Sequence, residues 1–307
     1  MLPIQLTLPD SFLDEEVRDG FLVSSQMKHV WAVELDLLNE FIKICKKHNI
    51  QFYAAGGTML GAVRHKGIIP WDDDIDVMML RSEFEKFCKI APQEFQHPYF
   101  FQTEETDHGC YRGHAQLRNS LTTGVLASGF DEKKNINQGI FIDIFPLDNV
   151  PDIGKASFYK KLKRLRGKCY AFQRRGLKKA FNGNRQMYKQ WYDNLWKLCP
   201  SLALEICDRY YKRYEKTVIM YNSQQTKEVM MTPFHEDRWT WNRSDLNSSI
   251  EIPFEMLSIP VPKEYANMLT KTYGNWEKFV VGTSVHGGVI FDVEHPYQEY
   301  LANQENK

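Results

Sequence analysis

The sequence contains no Cys-x-x-Cys pair, no internal repeat, no low-complexity tract and no excess of either charge sign. Its six cysteines (Cys45, Cys88, Cys110, Cys169, Cys199, Cys207) have no paired ligand spacing, which favours reduced thiols over a disulfide frame or a structural zinc site. No apolar run approaches the ~18 residues that a bilayer-spanning helix needs. The amino end, MLPIQLTLPDSF, has neither a charged lead nor an apolar core, so no secretory leader is expected and cytoplasm is the expected compartment. Thirty-nine basic residues balance thirty-nine acidic ones, which leaves no global field for nucleic acid, and none is expected as a partner.

What is present fits a globular protein: 307 residues, 43% hydrophobic and 25% charged, enough for a catalytic domain with a helical subdomain. In 28–50, Trp31, Leu35, Leu38, Ile42 and Cys45 recur at three- and four-residue steps and predict an amphipathic helix. A short strand, QFYAA (51–55), then ends at Gly56-Gly57, and a helix is expected from Thr58 to Gly67. DIDVMML (74–80) reads as the next strand and SEFEKFCKI (82–90) as a helix. Gly139 to Phe145 reads as a strand stopped by Pro146. The first half therefore alternates helix and strand around a small sheet. From 155 to 192 there is no acidic residue, while lysine, arginine and aromatics interleave at helical spacing. Prolines then separate short apolar pieces until a helix, KEYANMLTKTYG (263–274), closes at Gly274.

Residues 72–76 hold four aspartates in five positions and run straight into an apolar strand. Alternation along a strand sends Asp72, Asp74 and Asp76 to one side and Asp73, Ile75 and Val77 to the other. Carboxylates about 4 Å apart repel by ~1 kcal/mol in water and ~4 kcal/mol at an effective dielectric near 20, so converging them calls for a cation. Oxygen-only donors point to a hard ion, magnesium or manganese. An acidic turn facing water would not lead into an apolar strand. A calcium loop would place Asp72, Asp74, Asp76 and Glu83 correctly but needs glycine where Val77 stands.

Gly56-Gly57, between a strand and a helix, is a candidate phosphate cradle, because a helix amino end offers free N–H groups and glycine lets an anion approach. Thr58 opens that helix. Arg64, His65 and Lys66 stand at its far end, as phosphate contacts or simply as cations favoured by the helix dipole. A phosphate cradle beside a carboxylate pair suits the pyrophosphate of a nucleotide.

The 24-residue stretch GGTMLGAVRHKGIIPWDDDIDVMM resembles the signature of the LicD family, which includes bacterial phosphocholine transferases and animal fukutin-related proteins. Further likeness lies in HAQLRNSLTTG (114–124), in IPFEMLSIPVPKEYANMLTKTYGNW and in HGGVIFDVEHPY, and so covers most of the chain except the basic helical region. The resemblance implies an α+β protein with a DNA polymerase beta-like nucleotidyltransferase fold, a small mixed sheet and a mostly helical additional region. The catalytic core is expected over 1–150; the change of texture, not the resemblance, places a basic helical subdomain over 151–229, and a C-terminal part, 230–307, is expected to pack on the core.

The activity it implies is transfer of a phosphoryl-alcohol such as phosphocholine, from a CDP-alcohol, to a hydroxyl of a surface glycan (lipopolysaccharide or capsule) or its lipid-linked precursor. The alternative is nucleotidyl transfer from an NTP to a sugar phosphate or a protein; a non-catalytic binding protein that keeps the fold is a third reading. By the family pattern Asp74 and Asp76 hold Mg2+ or Mn2+, Asp143 is the third acid, and Asp72 or Asp143 takes the acceptor proton. Gly56, Gly57, Thr58, Arg64, Lys66, Arg118 and His286 are the candidate nucleotide or phosphate contacts. Arg118 reads equally as the partner of a surface acid, and His286 as a structural histidine. The basic segment 154–192 reads as a solvated helix face or as a peripheral contact with the inner membrane face.

Overall fold

The structure, a computed structural model, describes residues 2–126, 136–172, 194–195, 198–282 and 288–305. The chain divides into two compact units, one of Met1–Leu147 with Trp241–Lys307 and one of Asp148–Thr240. Compared with the expected 151–229, the second unit also takes in the strand and turn that run up to Thr240.

The first unit begins with a hairpin, β1 (Glu16–Arg18) and β2 (Phe21–Val23), and a long helix, α1 (Ser25–Lys47). Ser24 caps α1 by accepting the Met27 N–H, which fixes a start three residues before the expected segment 28–50. Along α1 every residue from Val30 to Leu38 is buried, including Glu34 and Asp36. Then come β3 (Tyr53–Ala54), α2 (Gly56–His65), β4 (Asp76–Leu80) and α3 (Arg81–Glu94). Strands β5 (Tyr99–Gln102), β6 (Ala115–Asn119), β7 (Thr123–Leu126) and β8 (Ile140–Val150) follow.

Within this unit the main sheet runs β3-β4-β8-β6-β5, with β4 and β8 parallel and the other neighbours antiparallel. The fold is thus α+β around a small mixed sheet. Phe41 of α1 anchors the helix layer, meeting Phe52 and Phe87 edge-on at 4.8 and 5.0 Å. Each such buried ring contributes about 1.5–3 kcal/mol relative to exposure.

Pro146 does not end β8 as expected. The Asp143 N–H points to β4, donating to the Ile75 carbonyl, so by alternation position 146 faces the opposite edge. The pairing with β6 already ends at Ile144, and the N–H missing from Pro146 breaks no bond of that ladder.

The second unit holds α4 (Lys155–Phe172), α5 (Pro200–Val218) and β9 (Glu228–Met231), which β10 (Thr240–Asn242) follows. Phe158, Tyr159, Leu162 and Cys169 form the buried face of α4. Its basic residues are partly paired: Lys155 bridges Glu228 and Asp237, each at 2.7 Å, and Lys163 meets Glu236 at 3.3 Å. Lys160, Lys161, Arg164 and Lys168 are exposed. Tyr188, Trp191 and Trp196 lie outside the described residues.

The remaining elements of the first unit are the hairpin β11 (Ser249–Phe254)–β12 (Leu257–Pro262), α6 (Tyr265–Tyr273), β13 (Val289–Asp292) and α7 (Tyr297–Glu305). Glu255, at the turn of that hairpin, pairs with Arg18 and accepts the Ile68 N–H at 2.9 Å. Its own N–H reaches the Lys66 carbonyl at 2.9 Å. Strand β13 pairs antiparallel with β7. None of the six cysteines is in a disulfide. Among the described residues no helix is long and apolar enough to cross a membrane.

Candidate functional site

Helix α2 starts at Gly56, two residues earlier than expected, so the glycine pair forms its first turn rather than a preceding loop. Gly56 has a φ of 50°, which favours glycine. A Cβ on Gly57 would lie 2.5 Å from Asp72 Oδ2. The space that glycine leaves at this helix amino end is therefore taken by a carboxylate of the acidic run, which the first-turn N–H groups favour. Thr58 is buried, and its hydroxyl accepts the Asp76 N–H at 2.7 Å. That bond ties the helix start to the first residue of β4.

Strand β4 begins only at Asp76, so strand alternation does not govern Asp72–Asp74. Asp73, expected on the opposite side, offers a carboxylate oxygen within 4.8 Å of those of Asp72 and Asp74. The chain is held there by a turn, Asp72 N–H to the Ile69 carbonyl at 2.9 Å, and by Trp31 of α1, whose indole N–H donates to the Asp72 carbonyl at 3.1 Å. The β4–β8 register then sets Asp143 beside Asp76. Asp143 Oδ1 accepts from Gln116 Nε2 at 2.6 Å and lies 3.2 Å from His114 Nε2.

The electrostatics of this group are lopsided. Burial, followed by the charges of Asp74 and Asp73, pushes the Asp72 carboxyl up to about 8. Burial, then Asp74 and Asp143, pushes Asp76 well above the usual range. Asp76 Oδ1 is buried with no hydrogen-bond partner. Buried acids are normally paired or hydrogen-bonded. An oxygen-rich pocket that keeps an unsatisfied carboxylate oxygen among other carboxylates fits a hard divalent cation, which would make their joint ionisation favourable. Asp72, Asp73, Asp74, Asp76 and Asp143 are the acids here that could hold one.

The basic candidates are directed elsewhere. Arg64 donates to the Trp276 and Lys278 carbonyls at 3.0 and 3.3 Å and lies over the Phe279 ring. Lys66 ends α2 in the left-handed conformation, its ammonium on the Val63 carbonyl at 3.0 Å. His65 meets Asp19 at 2.6 Å. Arg118, only 2% exposed, stands behind the acids rather than on the protein surface. It donates to Gln102 and the Gly139 carbonyl, both at 2.6 Å, and to Gln116, and so holds the amide that holds Asp143. His286 lies outside the described residues.

Four residues at the site escape the sequence reading: Trp31, Glu34, His114 and Gln116. Glu34 alone left a signal, as an acid inside the apolar stretch of a helix. Trp31 was legible only as core, and His114 and Gln116 gain meaning only from the β6–β8 pairing, which sets Gln116 opposite Asp143.

Residues 49–164 match the family model described as LicD/FKTN/FKRP, nucleotidyltransferase domain. The chain is similar to the lipopolysaccharide cholinephosphotransferase LicD of Haemophilus influenzae, at 28% identity over 257 residues, covering 80% of this chain and 88% of that protein. An uncharacterized protein of Rickettsia typhi is 42% identical over 57 residues, which are 19% of this chain and 18% of that one. Another, of Rickettsia prowazekii, is 36% identical over 74 residues, 24% of this chain and 28% of its own length.

Proposed function

We propose that this chain, which carries a LicD-family nucleotidyltransferase domain over residues 49–164, is a phosphotransferase that moves a phosphocholine-like group from a CDP-alcohol to a glycan hydroxyl. The acceptor is a cell-surface glycan, lipopolysaccharide in the case of the Haemophilus relative, or its lipid-linked precursor. The observation that carries the reading is the parallel register setting Asp76 beside Asp143, with Asp72–Asp74 converging at the start of α2. An acid pair at the start of a strand, with a third acid on the adjacent strand of a mixed sheet, suits a polymerase beta-like nucleotidyltransferase core, and the core is read as one.

Asp74, Asp76 and Asp143 would hold Mg2+ or Mn2+, with Asp72 and Asp73 adding charge beside them. The ion supplies neutralisation of the charge that develops on the leaving nucleotide. The chain's own part is mostly positioning, which dominates phosphoryl transfer. Thr58 fixes Asp76 by its backbone, and Arg118 and Gln116 fix the Asp143 side chain. With Oδ1 held by Gln116 and His114, Asp143 is oriented to accept the proton of the acceptor hydroxyl. The first turn of α2, with glycine at Gly56 and Gly57, would take the donor phosphates, with Asp72 turned from the helix start toward the other acids.

Purified protein with magnesium, offered a panel of CDP-alcohols and NTPs, is expected to release CMP from one of the CDP-alcohols. Pyrophosphate from an NTP would favour the nucleotidyl-transfer alternative, and release of neither would overturn the enzymatic reading. A lipid-linked acceptor also implies peripheral work at the cytoplasmic face of the inner membrane, for which α4 exposes Lys160, Lys161, Arg164 and Lys168. Flotation with anionic but not neutral vesicles checks this; equal behaviour leaves those residues as a solvated helix face.

A further inference from the structure

Helix α1 buries two acids two residues apart, and the structure treats them differently. Asp36 is fully satisfied: Oδ1 accepts the N–H groups of Gln5 and Leu6 at 2.9 and 2.8 Å, and Oδ2 accepts the Tyr99 hydroxyl at 2.7 Å. Glu34 is 1% exposed, and its Oε2 is buried without a hydrogen-bond partner. Glu34 stands one helical turn from Trp31, the residue whose indole binds the Asp72 carbonyl, so both are on the face of α1 that meets the acidic run. The charged groups that act on Glu34 most strongly are Asp74, Asp73, Asp72 and Asp143, all acids. Together with burial, the largest cause, they hold its carboxyl well above the usual range. A buried carboxyl on the helix face that meets the acidic run, with an oxygen left unsatisfied, destabilises the fold unless something positive sits beside it.

We propose that Glu34 is a further carboxylate of the cation site, contributed from α1 and lying outside both the Asp-rich run and the matched family region. It closes the site from the helix side, so that cation binding fastens α1 to the start of β4. The inference rests on the cation-dependent reading above. Its consequence is that divalent ion stabilises the folded protein through α1 as well as serving turnover.

The test is Mn2+ titration of the full chain, by calorimetry or by the loss of the free-ion spin-resonance signal, together with thermal melts with and without Mn2+. Glu34→Gln keeps the shape and removes the charge. It is expected to weaken Mn2+ binding at least tenfold, to melt higher than wild type without the ion, and to gain less on adding it. Asp36→Asn is the control: it melts lower in both conditions and binds Mn2+ as wild type does. Wild-type affinity in Glu34→Gln would overturn the assignment and leave Glu34 a protonated core acid, with the Asp74 and Asp76 site intact. Absence of Mn2+ binding by the wild type would overturn the parent reading with it. If Glu34→Gln fails to fold, Glu34→Asp, which withdraws the carboxylate by one methylene, reads the same affinity change.

Discussion

Strand β8 carries one aspartate in each unit, and the two have opposite surroundings. In the second unit Asp148, fully buried, accepts Asn222 Nδ2 at 2.7 Å and the Thr232 hydroxyl at 2.6 Å, so neutral donors stabilise its charge. In the first unit Asp143 lies in register with Asp76, whose Oδ1 has no donor, and close to a run of further acids. The second unit's aspartate is satisfied by neutral donors, while Asp76 in the first unit keeps an oxygen open. A protein keeps unsatisfied buried charge mainly where a ligand completes it, so the contrast separates scaffold from site without reference to any relative.

The sharpest way to break this contrast is to remove charge from the open side. Asp76→Asn is expected to lower turnover by roughly 10³-fold or more while the melting temperature without added metal stays level or rises, because a costly buried carboxylate is gone. A fall in both, as measured by product release and calorimetry, would make Asp76 an ordinary structural acid. Gly57→Ala comes next. Its Cβ would meet Asp72 Oδ2 at 2.5 Å and crowd the first turn proposed for the donor phosphates, and an activity loss on the order of 10–100-fold is expected. Full activity in Gly57→Ala would show that the donor phosphates do not use that turn.

The second unit should answer in the opposite sense. Asp148→Ala strands the Asn222 and Thr232 donors, so stability is expected to fall by about 1–3 kcal/mol in denaturant titration. An unchanged unfolding midpoint would erase the distinction between the units. The smallest effect is in pH. His235 is buried and bonded at 3.0 Å to the Tyr214 hydroxyl. Burial, then the Arg166 and Lys163 charges, lowers its pKa to about 3. Because the unfolded chain takes up that proton near the ordinary value, this group favours the fold above about pH 6.5. Its contribution is lost as pH falls through the window from 6.5 to 3, by on the order of 2 kcal/mol at pH 5. His235→Asn, which tolerates the positive φ of 49° there, should flatten the acid side of the melting profile relative to wild type. Identical slopes for the two proteins would dismiss the titration.

Much of the first unit was legible as local pattern. The helix through Trp31, the strand ending in a glycine pair and the acid run opening an apolar strand all follow from periodicity and residue type. The likeness to LicD was readable too, since it resides in one contiguous signature. Boundaries were less so: α2 takes its first turn from the glycines because Gly56 accepts a positive φ, and β8 runs through Pro146 because the missing N–H falls where no β6 residue pairs. Arg64, Lys66 and Arg118 read alike as cations in the sequence. Only packing shows them engaged with carbonyls and amides.

By itself the sequence determined which chemistry is concentrated where, because side-chain type and the spacing of neighbours along one segment are local properties. The tertiary structure decided which acids meet. The β4–β8 register, the β6 amide behind Asp143 and the α1 indole on the Asp72 carbonyl join residues tens of positions apart, and no local spacing encodes such distances.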